Sequence, residues 1–128
     1  MSYRWVDHTA EVELHIEAAS EETVLEDAMK ALAELLDGGS GPRTTRRVQL
    51  GAPDRPALLV RWLEELVYLA ETEGFLPHEA EITLGGALDA TVHGVVGDPR
   101  PLVKAVTYHR LEFEPADDGW RAKVVLDV

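Results

Sequence analysis

The chain has 128 residues and a mass of 14.1 kDa, a length that fits one domain over residues 1–128 and excludes a catalytic domain joined to a separate substrate domain. Its 45% apolar content suffices for a core of its own, and the absence of cysteine excludes disulfides, thiol nucleophiles, iron–sulfur clusters and cysteine-ligated zinc. A net charge of −12 repels a phosphate backbone and argues against direct nonspecific nucleic-acid binding.

The first ten residues are polar, with Asp7 and His8 where a signal peptide needs an apolar run, and no stretch approaches spanning length, so a cytoplasmic protein is expected. Glu11 to Glu17 alternates strictly, Val12, Leu14 and Ile16 against Glu11, Glu13, His15 and Glu17, the pattern of a half-buried strand. Ser20 offers an N-cap, Glu21 and Glu22 complement the helix dipole, and Gly38-Gly39 stop the helix after Asp37. Its stripe of Val24, Leu25, Ala28, Met29, Leu32, Leu35 and Leu36 predicts packing on a sheet.

Residues 38–43 form an ordinary connection, with no domain boundary. Arg46 to Leu50 reads as a short strand, and Asp54 with Pro56 opens a second helix whose apolar face is Leu58, Leu59, Trp62, Leu63, Leu66, Val67 and Ala70 and which ends at Gly74. Ile82 to Val92 predicts strands meeting around Gly85-Gly86, and strands over Val106–Glu114 and Trp120–Asp127 are joined at Asp117-Asp118-Gly119. The tight turns between strands predict an α+β fold: one mostly antiparallel or mixed sheet of six or seven strands with two packed helices.

The glycines at 38, 39 and 41 follow a helix, whereas a phosphate-binding loop precedes one. The five histidines lack metalloprotease spacing and no serine occupies a nucleophile elbow. Arg43, Arg46 and Arg47 read as a solvated strand edge, with a local anion site as the alternative.

Three segments stand out. Asp7-His8-Thr9-Ala10-Glu11 places two carboxylates and an imidazole at one sheet end, where capping a turn is their ordinary role. Asp127-Val128 directly follows an alternating strand; if that strand runs beside the one carrying Glu11, the oxygens of Glu11, Asp127 and Val128 converge as ligands for a hard cation. In Lys104-Ala105-Val106-Thr107-Tyr108-His109, strict alternation puts Thr107 and His109 on the face of Leu111 and Phe113, with Lys104, Tyr108 and Arg110 opposite. A half-buried structural histidine at His109 and an aggregation-blocking lysine at Lys104 are the ordinary expectations.

Taken together, DHTAEVEL at 7–14, KAVTYH at 104–109 and LDV at 126–128 resemble the archease family, and the likeness covers nearly the whole chain. The resemblance implies a cytoplasmic accessory protein, itself no enzyme and without catalytic residues of its own. Its partner would be the GTP-dependent tRNA-splicing RNA ligase, which joins 2′,3′-cyclic phosphate or 3′-phosphate ends to 5′-hydroxyl ends. The accessory protein promotes guanylylation of the ligase's active-site histidine and multiple turnover, with GTP used by the ligase. A bound divalent metal, Ca²⁺ or alternatively Mg²⁺ or Mn²⁺, assists. By the resemblance, the metal falls on Glu11, Asp127 and the main-chain oxygen of Val128, and Asp7, His8, Lys104 and His109 belong to the surface meeting the ligase. The family usually has Asp where this chain has Glu11, and the extra methylene shifts the carboxylate by about 1.5 Å. Two other classes stay open: a chaperone-like modulator of nucleic-acid methyltransferases, and a metal-dependent phosphohydrolase using Asp7, Glu11 and Asp127.

Overall fold

Short-range signals in the chain set the ends of both helices. In the computed structural model, which describes residues 2–8, 11–100 and 103–128 and only the backbone of Asp7 and His8, strands β1 (Ser2–His8) and β2 (Glu11–Ala18) precede helix α1 (Glu21–Leu36). Ser20 Oγ accepts the Thr23 N–H at 3.1 Å, capping α1. Strand β3 (Arg43–Leu50) leads to helix α2 (Arg55–Glu73), where Asp54 Oδ1 accepts the Ala57 N–H at 2.9 Å. Gly74 ends α2 at φ 68°, a left-handed conformation that glycine adopts without Cβ strain. Strands β4 (Phe75–Leu84), β5 (Leu88–Val96), β6 (Ala105–Ala116) and β7 (Gly119–Asp127) complete the order.

The fold class is α+β, with two helices and antiparallel pairing throughout the described strands. The seven strands divide into a four-stranded sheet ordered β1-β2-β7-β6 and a three-stranded sheet ordered β3-β5-β4, where sequence patterning anticipated one sheet. Two faces must then be covered. α1 packs on β4 of one sheet and β2 of the other, α2 packs on β6, β4 and β3, and the helices pack on each other.

That double contact explains burial beyond a single stripe. In α1, Asp27 and Ala31 are buried beside the predicted face, and in α2 Val60 and Leu69 join Leu58, Leu59, Trp62, Leu63, Leu66 and Ala70. Trp62 donates its indole N–H to the Leu25 carbonyl at 2.8 Å, tying the helices inside the core. The connection after α1 docks on the end of β5: Val96 N–H donates to Pro42 O at 2.9 Å, and a Cβ on Gly41 would collide with the Val96 carbonyl. Among the described residues no helix is long and apolar enough to cross a membrane.

Candidate functional site

The alternation of β2 sends Leu14, Ile16 and Ala18 into the core and leaves Glu11, Glu13, His15 and Glu17 on the outer face of the four-stranded sheet. Across β7, Ala122, Val124 and Leu126 face the core, and Arg121, Lys123, Val125 and Asp127 face outward with the glutamates. The register creates one row at the end of this sheet: His8 opposite Glu11, Glu11 opposite Asp127, and Asp127 opposite Ala105. Lys104 is attached to the same row, its backbone N–H donating to Asp127 O at 2.8 Å. Residues from both chain ends and from position 104 thus meet at one sheet end. Asp7 is opposite Val12, one residue off the row; the side chains of Asp7 and His8, and Thr9 and Ala10 altogether, lie outside the described residues. Val128 follows directly after β7.

β6 is an edge strand, and it is irregular. Thr107 pairs with Val125 and Glu112 with Lys123, so five residue steps on β6 match two on β7 and three residues are extra. An odd insertion reverses the facing, so Thr107 shares the outer face with Val125 and Phe113 turns to the core with Ala122. The half-buried setting expected for His109 is therefore corrected: His109 is exposed on the bulge, its backbone N–H donating to Thr107 Oγ1 at 3.3 Å. Tyr108 beside it is 62% exposed, and Arg110 takes a left-handed φ of 55°.

Arg110 reaches back across β7 to β2. Its Nη2 lies 3.2 Å from Glu11 Oε1 and 3.4 Å from Glu13 Oε2. Glu13 is only 6% exposed, and its other oxygen accepts a hydrogen bond from His15 Nε2 at 3.1 Å and faces the Lys123 ammonium at 3.9 Å. Arg4 Nη2 approaches His15 Nδ1 at 3.2 Å; a guanidinium only donates, so Nδ1 accepts and the N–H on Nε2 faces Glu13. Lys123 also holds Glu112 at 2.8 Å, and that hydrogen bond lowers the Glu112 carboxyl below its ordinary value. Glu13 and Arg110 were missed as site residues. The polar face of β2 was legible, whereas nothing local announces the bulge that aims Arg110 at it.

Glu11 and Asp127, opposed on adjacent strands beside the main chain of Val128, form an oxygen donor set whose chemistry fits a hard divalent cation. Among the described residues no three His, Cys, Asp or Glu side chains are grouped to hold an ion, so such a cation would draw further ligands from main-chain oxygen and water. Elsewhere, Arg46 pairs with Glu73 at 2.5 Å and lies over the Phe75 ring, and Arg47 forks onto both Asp89 oxygens at 3.1 and 2.9 Å. These arginines serve the β3 edge. On the second sheet Thr45, His93 and Glu81 are linked in line at 3.2 and 2.8 Å, as solvent-exposed cross-strand pairs on an open face.

The model of the Archease protein family (MTH1598/TM1083) matches residues 3–128. The chain belongs to the archease family. It is 34% identical to the Methanosarcina barkeri protein archease over 98% of this chain and 95% of that one. The archease-family fold is also seen in the solution structure of Methanobacterium thermoautotrophicum protein 1598, with 25% identity, 98% coverage of both chains and a TM-score of 0.73. A crystal structure from Thermotoga maritima, described as an archease and possible chaperone, superposes with a TM-score of 0.74 at 24% identity, covering 96% of this chain and 94% of that one. The row at the sheet end coincides with the segments that carried the resemblance.

Proposed function

We propose that this archease-family protein activates a GTP-dependent tRNA-splicing RNA ligase, promoting guanylylation of the ligase's active-site histidine and multiple turnover. The observation that supports this reading is the row Glu11–Asp127–Ala105, with Lys104 bonded to it and His8 opposite Glu11, at one end of the four-stranded sheet. In this reading Glu11, Asp127 and the Val128 main-chain oxygen hold the divalent metal, Ca²⁺ or alternatively Mg²⁺ or Mn²⁺. When bound, such a cation supplies positive charge that stabilises phosphate oxygens. The chain's own residues do the rest. Lys104, exposed and bonded through its backbone N–H to Asp127 O, offers its ammonium for docking onto phosphate or carboxylate groups, and Asp7, His8 and His109 complete the docking surface. The net charge of −12 favours a partner that is positive around its RNA-binding centre, with association weakening as salt rises.

The test is multiple-turnover ligation by the ligase of the same organism, with GTP and metal, with and without substoichiometric amounts of this protein. A rise in turnover and in guanylylated histidine is the expected result, and an active ligase unmoved by folded protein overturns the reading. Suppression of methyltransferase aggregation without ligase stimulation would instead favour the chaperone-like role. The large apolar side chains exposed among the described residues are Tyr68 and Tyr108, which offers a holdase little surface. Metal-dependent phosphodiester hydrolysis lost on Asp127→Ala would support the enzyme reading.

A further inference from the structure

We infer that Arg110 is a resident counter-ion that competes with the divalent cation for Glu11, so that cation binding releases the β6 bulge and the exposed Tyr108 and His109 it carries. The inference rests on the metal reading above and adds to it a chain-specific positioning residue.

Three observations carry it. Arg110 Nη2 sits on Glu11 Oε1 at 3.2 Å, placing a fixed positive charge against the carboxylate that a cation shared with Asp127 would use. A single guanidinium serves Glu11 and Glu13 together, whereas a dication on Glu11 and Asp127 would neutralise two opposed carboxylates at once. The bulge is also held by this contact. Arg110 occupies a left-handed backbone region that a residue with a Cβ seldom adopts, and its ion pairs tie it across β7 to β2. Outliers of this kind persist where the surroundings over-determine them.

The cost of releasing Arg110 is limited by what remains around Glu13. With the His15 N–H at 3.1 Å and the Lys123 ammonium at 3.9 Å, that buried carboxylate keeps a hydrogen-bond donor and a positive charge when the guanidinium leaves. Glu11 exchanges one cation for another, and the segment from Tyr108 to Leu111 loses its tether. By linkage, whatever holds the bulge in its released form also strengthens cation binding.

Calcium alone is the probe, titrated calorimetrically against the full chain, with hydrogen exchange of the 107–112 amides followed with and without it. Arg110→Gly accepts the observed φ without Cβ strain and removes the guanidinium, and Arg110→Gln tests the charge with a side chain retained. Both variants are expected to bind Ca²⁺ about tenfold more tightly than the parent. In the parent protein Ca²⁺ is expected to speed exchange across 107–112, and in the variants exchange there is already fast and unresponsive. A parent that binds Ca²⁺ no less tightly than the variants overturns the competition and leaves the metal reading standing. Tighter binding by the variants, with parent amides that do not respond to Ca²⁺, shows a through-space charge effect and overturns displacement. Absence of binding in all three folded proteins, with Ca²⁺ and in repeats with Mg²⁺ and Mn²⁺, overturns both readings.

Discussion

Glu11 and Asp127 stand directly opposite each other on β2 and β7, two carboxylates on the outer face of an antiparallel pair. Like charges in that relationship repel, and positive charge in the structure is drawn to one of them, with Arg110 on Glu11. The pair is thus a place where positive charge relieves the repulsion between two carboxylates.

Asp127→Asn removes one member of the opposed pair. With chelator present it is expected to leave stability unchanged or raise it by up to about 0.5 kcal/mol. If Ca²⁺ binds as proposed, the parent protein is expected to gain melting temperature in its presence by mass action and the variant is not. Calorimetric melts in the two buffers check both halves.

Asp27 is 3% exposed on α1, and its Oδ2 has no hydrogen-bond partner among the described residues. Burial raises its carboxyl above the ordinary 3.8, against the pull of Lys30. Because the folded value is the higher one, the protonated form fits the fold without penalty below 3.8, and stability is lost as pH rises through the raised value. Asp27→Asn should therefore stabilise the protein near neutral pH by about 1 kcal/mol, with the gain shrinking in acid. Urea unfolding at several pH values measures it.

Glu112 carries the opposite sign. Its hydrogen bond from Lys123 lowers the carboxyl below 4.5, so its contribution is present above that value and disappears as pH falls through the lowered one. Lys123→Met should reduce the melting temperature near neutrality. The difference from the parent should narrow once the pH is well below 4.5, as Glu112 protonates.

Trp62→Phe deletes the hydrogen bond to Leu25 O and leaves space between the helices. A loss of about 2 kcal/mol is expected, part from the bond and part from the cavity. Denaturant unfolding followed by circular dichroism reads the change, and the midpoint should move with little change in slope.

Much of the architecture was legible because its causes are short-range. Ser20 and Asp54 cap their helices through a neighbour three residues on, and the alternation of Glu11 to Glu17 sorts core from surface within one strand. The candidate metal residues were legible only in part. Glu11 and Asp127 were paired on the condition that their strands run together, and the register meets that condition. His109 was misread because alternation was carried unbroken through a strand that contains three extra residues.

Composition and local pattern decide the absence of thiol chemistry, the acidic charge, the helix ends and which side of each element seeks the core, because each depends on residues a few positions apart. Tertiary structure alone decides that the strands divide into two sheets with the helices between them, and that Arg110 meets Glu11 across 99 positions of chain. Those outcomes depend on strand register and on an irregular bulge, which arise only when distant segments compete to pair, and no local periodicity encodes that competition.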